Sequence, residues 1–334
     1  MLSAEHETLP FSELKACLEI SGGKFCIKDK VKNVVIFESN APNISKILAE
    51  RMSMAHIICK FLFKCEADER AIIRNIRDHL LEFEGFRDFY IEKHKIFGAK
   101  GVKGVSKRLG RYIEEKCKVR ANFRNPEAIL DIIFIDNFCY AGLRLSKVKK
   151  DFYKRDLKKR PVNYPGALKP KLARLFVNLA RTKANELMLD PFCGLGSILI
   201  EANVLGAKCI GVDINSKMLK GAKTNLKHYA KHAILIKGDA RDVAKFIDAE
   251  VDAVATDPPY GISSSTHRIP QESLYCETLE ELSKLLKRNR YIAFATSHHT
   301  NLEDLLPGNL ELLEKHAQYV HKNLTRIIYV IEKT

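Results

Sequence analysis

The sequence has no cysteine pair spaced as C-x-x-C, although it contains nine cysteines among its 334 residues. An odd number of scattered cysteines fits neither a disulfide framework nor the ligand spacing of a structural zinc site. We therefore expect reduced, mostly buried thiols in a cytoplasmic protein, and we expect no metal site.

Long hydrophobic runs, tandem repeats and low-complexity tracts are also lacking. The longest apolar stretch, residues 187–207, is interrupted by Asp190, Glu201 and Asn203, which argues against a membrane-spanning helix. The first residues of the chain include Glu5 and lack the basic and apolar regions of a secretion signal, so no signal peptide is expected. The length suits a globular chain of two or three domains.

Positive charge is abundant, with a formal net charge of +15. Residues 1–160 carry +11 of this charge and the remainder carries +4. Residues 93–124 hold eleven basic residues against two acids, and residues 144–160 hold nine against two. Charge runs are often only solvated surface, but two dense basic segments in one half favour a polyphosphate partner.

The first part of the chain predicts small α+β modules. In residues 1–60, helical patterns flank two short strands, which we place around a turn at Lys28, Asp29 and Lys30. Residues 61–146 predict a second module made of a strand at 61–65, helices at 69–81 and 107–118, and a hairpin of 129–135 and 138–145.

Residues 147–168 are rich in Lys, Arg, Asp and Pro, which predicts an exposed basic linker that could also touch phosphate. Residues 169–334 then alternate apolar strands with helices, a pattern typical of a doubly wound parallel α/β sheet. Strands are predicted at residues 187–190, 209–213, 234–236, 251–256 and 291–296, with a closing pair at 310–320 and 325–331.

An aspartate stands at or just after the end of each of the first four of these strands: Asp190, Asp213, Asp239 and Asp257. In an open α/β sheet these ends share the edge where ligands bind. Asp213 suits the hydroxyls of a ribose, while Asp239 could accept from an adenine amine as the Ala240 N–H donates to the ring. Each aspartate alone could be a helix cap or a loop acid, but all four in this order favour a site.

The first strand is followed by D-P-F-C-G-L-G-S, residues 190–197. Gly194 and Gly196 let the backbone approach a ligand, and Ser197 is placed to cap the next helix. The motif lacks the third glycine of the G-x-G-x-x-G dinucleotide fingerprint. An uncharged or zwitterionic tail is therefore favoured over a pyrophosphate, although an ordinary tight turn explains the glycines equally well.

A ligand with adenine, a ribose diol and a charged amino-acid tail is S-adenosylmethionine, and Asp190 would face its ammonium group. The predicted cofactor-binding residues are Asp190, Phe192, Gly194, Gly196, Asp213, Ile214, Asp239 and Ala240.

The fourth strand ends in D-P-P-Y-G, residues 257–261, and the catalytic residues are predicted there: Asp257, Pro258, Pro259 and Tyr260. The Asp257 carboxylate and the Pro258 carbonyl are two acceptors, and the prolines offer no competing N–H. Such a pair can hold both hydrogens of an exocyclic amine and turn its lone pair towards an electrophile. Tyr260 offers a flat face for an unstacked base. The bland alternative is a capped turn with Tyr260 packed on the rim.

These motifs, together with G-V-D-I-N at residues 211–215 and G-D-A at 238–240, resemble those of class I amino-methyltransferases. More narrowly, the chain resembles the archaeal tRNA guanine-N2 methyltransferases that act on guanosine 10. The segments that carry this second resemblance are R-P at 160–161, P-G at 165–166, P-K-L-A-R at 170–174, S-S-S-T at 263–266 and H-K-N-L-T-R at 321–326. N-P at 125–126 and Y-A-G-L at 140–143 resemble the end of a THUMP module.

The resemblance implies a ferredoxin-like module in residues 1–60, a THUMP RNA-binding domain in 61–146 and a class I methyltransferase domain in 169–334. It implies a Rossmann-like, seven-stranded sheet of order 3-2-1-4-5-7-6 with strand 7 antiparallel. It also implies tRNA as a partner, with the acceptor end on the THUMP domain, and S-adenosylmethionine as the cofactor. The implied products are N2-methyl- and N2,N2-dimethylguanosine.

The chain departs from the resembled family at Tyr164, where relatives often have His, and at Asn323, where many have Ser. Both positions are expected near the active site, where they could alter the substrate preference. Some relatives require a small zinc-binding activator subunit, which is therefore a further candidate partner.

Three alternatives remain open at this point. An N2-guanine methyltransferase of another tRNA or rRNA site shares the same turn, and so does a DNA adenine-N6 methyltransferase. A non-catalytic RNA-binding subunit with a decayed methyltransferase fold is disfavoured, because all four strand-end aspartates are intact.

Overall fold

The structure, a computed structural model, describes residues 1–96, 98–260 and 270–334. Within these residues the strands form three sheets, of two, five and seven strands. Each sheet comes from one continuous stretch of the chain, so the α/β and α+β parts predicted from the sequence follow one another as expected.

The first sheet has two antiparallel strands flanked by helices, in the order α1 (Leu9–Ile20), β1 (Phe25–Val31), β2 (Val34–Ser39) and α2 (Ile44–Arg51). It has two strands where the β-α-β-β-α-β ferredoxin-like pattern has four. The predicted turn at Lys28, Asp29 and Lys30 is wrong, because these residues continue β1 and the chain turns at Lys32, with φ of 51°. Within the strand, Asp29 pairs with Lys64 of β3 at 3.0 Å.

The second sheet has the strand order β3-β7-β6-β4-β5, and its helices pack on an apolar core of the sheet. Its elements are β3 (Ile57–Glu66), α3 (Glu69–Arg77), β4 (Asp88–Lys95), α4 (Val105–Cys117), β5 (Arg120–Ala121), β6 (Ala128–Ile135) and β7 (Phe138–Lys147). Asp68 caps α3 by accepting from the Ala71 N–H at 3.0 Å, and Ile72 and Ile76 bury the opposite face.

Strand β4 was absent from the sequence-based prediction, because its charged end, Lys93 to Lys95, hid the alternation of Phe89 and Ile91. Its polar side chains are compensated within the sheet. Asp131 on β6 is fully buried and accepts from His94 at 2.7 Å and from Arg144 at 2.8 Å.

The segment that follows β7 differs from the expected exposed linker. It contains two short 3₁₀ helices, Asp151–Arg155 and Leu157–Lys159, and the side chains of Arg155 and Arg160 are buried. Arg155 donates to Glu201 at 2.6 Å, and Glu201 is itself fully buried. Part of the positive charge attributed to this segment therefore balances a buried acid and does not face solvent.

The third sheet has the order β10-β9-β8-β11-β12-β14-β13. Its elements are α5 (Pro170–Leu179), β8 (Leu187–Asp190), α6 (Ser197–Val204), β9 (Lys208–Asp213), α7 (Ser216–His228), β10 (Ile234–Lys237), β11 (Val251–Thr256), α8 (Gln271–Leu285), β12 (Leu286–Ser297), β13 (Leu310–His321) and β14 (Leu324–Lys333).

In strand-number terms this sheet order is 3-2-1-4-5-7-6, with β14 antiparallel to both of its neighbours, as the resemblance implied. The helices cover both faces and bury apolar side chains against the strands. Among the described residues no helix has the length and apolar character that crossing a membrane would require.

The N-terminal module packs against the third sheet through buried polar groups. Glu13 of α1 is fully buried and accepts from the backbone N–H groups of Ser53 and Met54 and from the amide of Asn178 on α5, at 2.7–2.8 Å. Arg51 donates to the Thr182 carbonyl across the same junction. The two parts are thus held together by directional contacts as well as by apolar packing.

Removing the buried acid of α6 is expected to destabilise the protein strongly. Glu201 balances Arg155 and Arg174, and Glu201→Ala leaves the buried Arg174 without its carboxylate and Arg155 with Asp151 alone. We expect the free energy of unfolding to fall by about 3–5 kcal/mol. Urea denaturation followed by circular dichroism measures this change.

The matched control is Asp242→Ala, which removes an acid from the largely exposed pair with Lys245. This variant is expected to change the free energy of unfolding by less than about 1 kcal/mol. Equal effects of the two substitutions would contradict a structural role for the Glu201 cluster.

Candidate active site

A cleft of about 1330 Å³ opens at the carboxyl ends of β8, β9, β10 and β11. This is the edge where open α/β sheets place ligands. Of the predicted site residues, eleven line the cleft: Asp190, Phe192, Gly194, Asp213, Ile214, Asp239, Ala240, Asp257, Pro258, Pro259 and Tyr260. The twelfth, Gly196, lies behind the cleft at the start of α6.

The glycine turn after β8 needs its glycines for two different reasons. Gly194 and Gly196 have φ of 49° and 80°, in the left-handed region that favours glycine. A Cβ on Gly194 would meet nothing within 4 Å, so this residue leaves space on the cleft side. A Cβ on Gly196 would lie 3.4 Å from the Cβ of Ala222, because α6 starts close to α7.

Ser197 does not cap α6 as predicted, since Gly196 occupies the N-cap position. The Ser197 hydroxyl instead accepts from the guanidinium of Arg160 at 2.6 Å. The side chain thus ties the 147–168 segment to the glycine turn and does not satisfy a helix amide.

Asp190 is the most deeply buried acid of the cleft, with an exposed fraction of 2%. Its Oδ1 accepts from the Thr256 hydroxyl at 2.7 Å and from the Phe192 N–H at 3.2 Å. Burial raises the pKa of Asp190 to about 7, and the charges of Asp213 and Asp257 act in the same direction. Its charge therefore changes near neutral pH.

Asp213 ends β9 and points into the same space. It accepts from the Gly194 N–H at 2.9 Å and from the Asn215 N–H at 2.7 Å, one on each oxygen. Burial raises the pKa of Asp213, and these backbone donors oppose the effect. Each oxygen keeps a lone pair for a hydroxyl donor.

Asp239, expected to face an adenine amine, is engaged by a residue that the sequence analysis missed. The Arg241 guanidinium donates two hydrogen bonds to Asp239, from Nε to Oδ1 at 3.1 Å and from Nη2 to Oδ2 at 2.7 Å. Asp239 also caps the short 3₁₀ helix Ala240–Lys245. An adenine amine would therefore meet an acid whose position is fixed by Arg241.

In the turn after β11, Asp257 is bound by an arginine that the sequence analysis did not identify. Arg326, at the start of β14, lies with Nε 3.1 Å from Asp257 Oδ1 and with Nη2 3.1 Å from Oδ2. Tyr260 donates its hydroxyl to Asp257 Oδ1 and accepts from Arg326 Nε at 2.7 Å. Tyr275 on α8 fixes the turn from behind by donating to the Pro259 carbonyl at 2.8 Å.

The hydroxyl of Tyr260 is thus bound to Asp257 and Arg326, two contacts that the sequence analysis did not predict, while the residue still lines the cleft. Burial raises its pKa well above the usual value, and the Asp257 charge adds to this shift. Burial lowers the pKa of Arg326, but Asp257 and Tyr260 outweigh this, so the pKa is raised. The sequence marked Arg326 through its place at the end of the H-K-N-L-T-R segment, residues 321–326.

Two further predicted positions lie on the cleft wall, namely Tyr164, with an exposed fraction of 46%, and Asn323. The departures from the resembled family therefore face the candidate site, as expected. Gly261 and residues 263–266 lie outside the described residues.

A comparison with protein families matches residues 158–328 to the family described as RMKL-like, methyltransferase domain. A family described as DNA methylase matches residues 90–224, which end before the Asp257 turn.

Curated proteins similar to this chain over its full length include two tRNA (guanine(10)-N2)-dimethyltransferases. The one from Methanothermobacter thermautotrophicus is 33% identical over 100% of this chain and 98% of its own length. The one from Methanocaldococcus jannaschii is 30% identical over 100% of this chain and 99% of its own length. A third, from Pyrococcus abyssi, is 31% identical over 96% and 95%.

Among solved structures, TrmN from Thermus thermophilus matches with a TM-score of 0.57 and 20% identity, over 100% of this chain and 99% of that chain. A possible methylase from Clostridium difficile matches with a TM-score of 0.54 and 15% identity, over 100% and 97%. At these identities the two structures support the fold alone.

The pKa of Asp190 predicts a pH-dependent affinity for the ligand whose ammonium it is expected to face. In the protein without ligand, the Asp190 carboxyl has its pKa raised to about 7, so it holds a proton below that pH. It must lose this proton to pair with an ammonium. S-adenosylhomocysteine should therefore bind about tenfold more weakly for each pH unit below 7. Calorimetry at pH 6 in buffers of different ionisation enthalpy should detect about one released proton.

Asp190→Asn should remove this pH dependence, since an amide does not titrate in this range. Asp252→Asn is the matched control, because Asp252 lies on β11 and pairs with Lys287 outside the cleft. A wild-type affinity that does not vary between pH 6 and 8 would show that Asp190 does not face the ammonium.

Proposed function

The chain belongs to the family of tRNA (guanine(10)-N2)-dimethyltransferases, and from this premise we propose that it methylates the exocyclic N2 amine of a guanosine in tRNA, at position 10. The methyl donor is S-adenosylmethionine, and the products are N2-methyl- and N2,N2-dimethylguanosine. The observation that carries the proposal is the Asp257–Tyr260 turn, which opens into the same cleft as Asp190, Asp213 and Asp239.

The residues of the cleft fit the methyl donor. Asp190 offers a buried carboxylate for the ammonium group, and Asp213 offers free lone pairs for the ribose hydroxyls. The Gly194 turn leaves space beside them, while Asp239 and Ala240 lie where the adenine would be held, with Phe192 and Ile214 supplying apolar contact. When bound, the donor supplies an electrophilic methyl group on a sulfonium.

Asp257 and the Pro258 carbonyl orient the guanine amine for the transfer. Each accepts one amine hydrogen, so the nitrogen lone pair turns out of conjugation with the ring and points into the cleft. Much of the acceleration then comes from positioning. Asp257 also stabilises the positive charge that develops on the nitrogen, which requires no strong base. The proton leaves after the new bond forms, because the amine becomes acidic only then.

We propose that residues 61–146 are a THUMP domain that binds the acceptor end of the tRNA. The support is a concave surface of about 560 Å³ at one end of the second sheet, around Arg87, Arg120 and Arg124. Phe123 is 80% exposed there and packs edge-on against Tyr90, with ring centroids 5.7 Å apart. Arginines around an exposed ring suit a phosphate backbone with unstacked bases.

The remaining domain assignment is a ferredoxin-like module in residues 1–60, a basic linker in 147–168 and the methyltransferase domain in 169–334. The structure begins the second sheet at Ile57, close to the proposed boundary. A cytoplasmic location suits the nine cysteines, all of which are free.

A small zinc-binding activator subunit, which some members of the resembled family require, would find an available edge on this chain. Strand β10 (Ile234–Lys237) is the outer strand of the third sheet, and Ile234 is 61% exposed. An outer strand can accept a strand from a partner.

A second candidate function is favoured by the match of residues 90–224 to a DNA methylase family. The same turn can present adenine N6 in place of guanine N2. The product of the reaction separates the two functions, because one yields methyladenine in DNA and the other yields methylated guanosine in tRNA.

The first experiment incubates the purified chain with S-adenosylmethionine and an unmodified tRNA transcript, and identifies the products by mass spectrometry of the nucleosides. We expect N2-methylated guanosine that maps to position 10. Asp257→Ala should lower the rate by about 10²–10³-fold, because it removes an acceptor aimed at the developing charge. Asp252→Ala, outside the cleft on β11, is the matched control.

Methyladenosine in place of methylguanosine would contradict the guanine assignment. A chain that binds S-adenosylhomocysteine, gives no product alone and becomes active with a zinc-binding partner requires the activator subunit. Activity of the chain alone shows that it does not.

The surface around Phe123 is tested by Phe123→Ala. Loss of one stacked base costs about 1–3 kcal/mol, so we expect the KM for tRNA to rise with little change in kcat. Phe138→Ala is the matched control, since Phe138 is exposed at the opposite end of the same sheet. An unchanged KM for Phe123→Ala would place the acceptor end elsewhere.

A further inference from the structure

The carboxylate proposed to hold the guanine amine is hydrogen-bonded before any substrate enters. Arg326 donates Nε to Asp257 Oδ1 and Nη2 to Oδ2, each at 3.1 Å, and the Tyr260 hydroxyl also donates to Oδ1. The Asp257 side chain has an exposed fraction of 12% and that of Arg326 of 9%. Water therefore contributes little to solvating this pair.

Counting lone pairs shows what remains for a substrate. A carboxylate has about four acceptor sites, two on each oxygen. Among the described residues, the Tyr260 hydroxyl fills one site on Asp257 Oδ1, and the Arg326 Nε hydrogen, which it shares with the Tyr260 oxygen, lies at the other. Arg326 Nη2 fills one site on Oδ2. One site on Oδ2 is left, which suits a single N–H of the guanine amine.

The second acceptor of the turn is in a different state. No described residue donates a hydrogen bond to the Pro258 carbonyl, whereas Tyr275 donates to the carbonyl of Pro259. Within the described part of the chain, the substrate amine is thus the donor left for the Pro258 oxygen once the base fills the cleft. Leaving a buried acceptor without a donor costs about 1–3 kcal/mol.

The two methyl transfers place different demands on these acceptors. An unmodified amine has two hydrogens, one for Asp257 Oδ2 and one for the Pro258 carbonyl. A monomethylated amine has a single hydrogen, so one acceptor must face a methyl group. Among the described residues the Pro258 carbonyl has no other donor, and the lower cost is to give it the remaining hydrogen and turn the methyl group towards Asp257.

Resting on the proposed function, we infer that Arg326 is a positioning residue that enables the second methyl transfer. With Arg326 in place, Asp257 keeps its ion pair and three hydrogen bonds when the substrate offers it a methyl group. Without Arg326, a carboxylate that is mostly buried would face the methyl group with the Tyr260 hydroxyl as its one donor in the described part of the chain. That arrangement disfavours the second transfer far more than the first.

The second transfer follows the same bond changes as the first. The lone pair of the monomethylated nitrogen forms a bond to the methyl carbon, and the carbon–sulfur bond breaks with its electron pair going to sulfur. The cationic nitrogen then loses its one remaining proton to solvent. Until that step, this N–H donates a hydrogen bond to the Pro258 carbonyl. Arg326 takes part in none of these bond changes.

Gln318 holds Arg326 in this orientation. Arg326 Nη1 donates to Gln318 Oε1 at 3.0 Å, and the two residues are partners across the β13–β14 pair. Three nitrogens of the guanidinium are therefore bound, which fixes its plane relative to Asp257. A lysine has no such planar fork and cannot reproduce the paired contacts.

The experiment measures the two transfers separately on the full chain. Single-turnover reactions with unmodified tRNA and with N2-monomethylated tRNA give the two rate constants by mass spectrometry. For Arg326→Gln we expect the ratio of second to first rate constant to fall about tenfold or more, so that monomethylguanosine accumulates. Arg326→Lys and Gln318→Leu should lower the ratio by smaller factors, because each keeps part of the clamp.

Arg288→Gln is the matched control, since Arg288 is an exposed arginine on β12. Calorimetric binding of S-adenosylhomocysteine and the melting temperature of each variant report whether the fold is intact. If Arg326→Gln does not fold, Gln318→Leu alone decides the outcome through the same ratio. A structural role slows both transfers equally and leaves the ratio unchanged.

Equal slowing of both transfers, or a wild-type chain that stops at monomethylguanosine, overturns the inference about Arg326 while N2-guanine methylation stands. A wild-type chain that makes no N2-methylated guanosine overturns the proposed function itself. Selective loss of the second transfer supports both.

Discussion

The direction of one strand determines what the cleft contains. β8, β9, β10 and β11 are parallel, so their carboxyl ends and the acids that follow them meet at one edge of the sheet. β14 is antiparallel, and its first residues reach that edge from the opposite direction, with Arg326 beside Ser297 at the end of β12. An arginine at the amino end of a strand thus meets an acid at the carboxyl end of another strand, 69 residues earlier in the chain.

That geometry also divides the acids of the cleft into two kinds. Asp257 and Asp239 each have an arginine forked onto them, whereas Asp190 and Asp213 have none among the described residues. The acids without arginines lie where the ammonium and ribose of the methyl donor are proposed. Burial and mutual repulsion raise the pKa of Asp190, so a cationic ligand supplies the charge that the protein itself does not. The ammonium of the proposed cofactor would therefore balance Asp190, as the arginines balance Asp257 and Asp239.

How much the sequence could predict depends on how local each signal was. The strand-end aspartates, the glycine turn and the order of the seven strands followed from short motifs and from the resemblance that they support. Arg326 could not be assigned from spacing, because its partner is set by the position of β14 in the sheet. Strand β4 was missed because Lys93, His94 and Lys95 looked solvated, although His94 faces the buried Asp131 of another strand.

The segment after β7 was misjudged for the same reason, since a run of Lys and Arg gives no sign that Glu201 is buried beneath it. Each of these errors concerns a charge whose partner lies far away in sequence. Apolar periodicity can show that a strand is buried, but it cannot show which distant acid a given arginine will meet. Long-range ion pairs are therefore the part of this structure that sequence patterns alone predict least well.

The junction between the N-terminal module and the third sheet bears on how a large substrate can reach the cleft. Glu13 is buried there with donors from both sides, and a hinge motion would leave this carboxylate without Asn178. Ser53 and Met54 would still donate to Glu13, and the lost hydrogen bond to a charged group costs about 1.5–3 kcal/mol. The junction therefore favours a fixed position of the N-terminal module relative to the third sheet. If the second sheet keeps its place on that module, an RNA bound at the proposed surface around Phe123 is selected by the distance from that surface to the cleft.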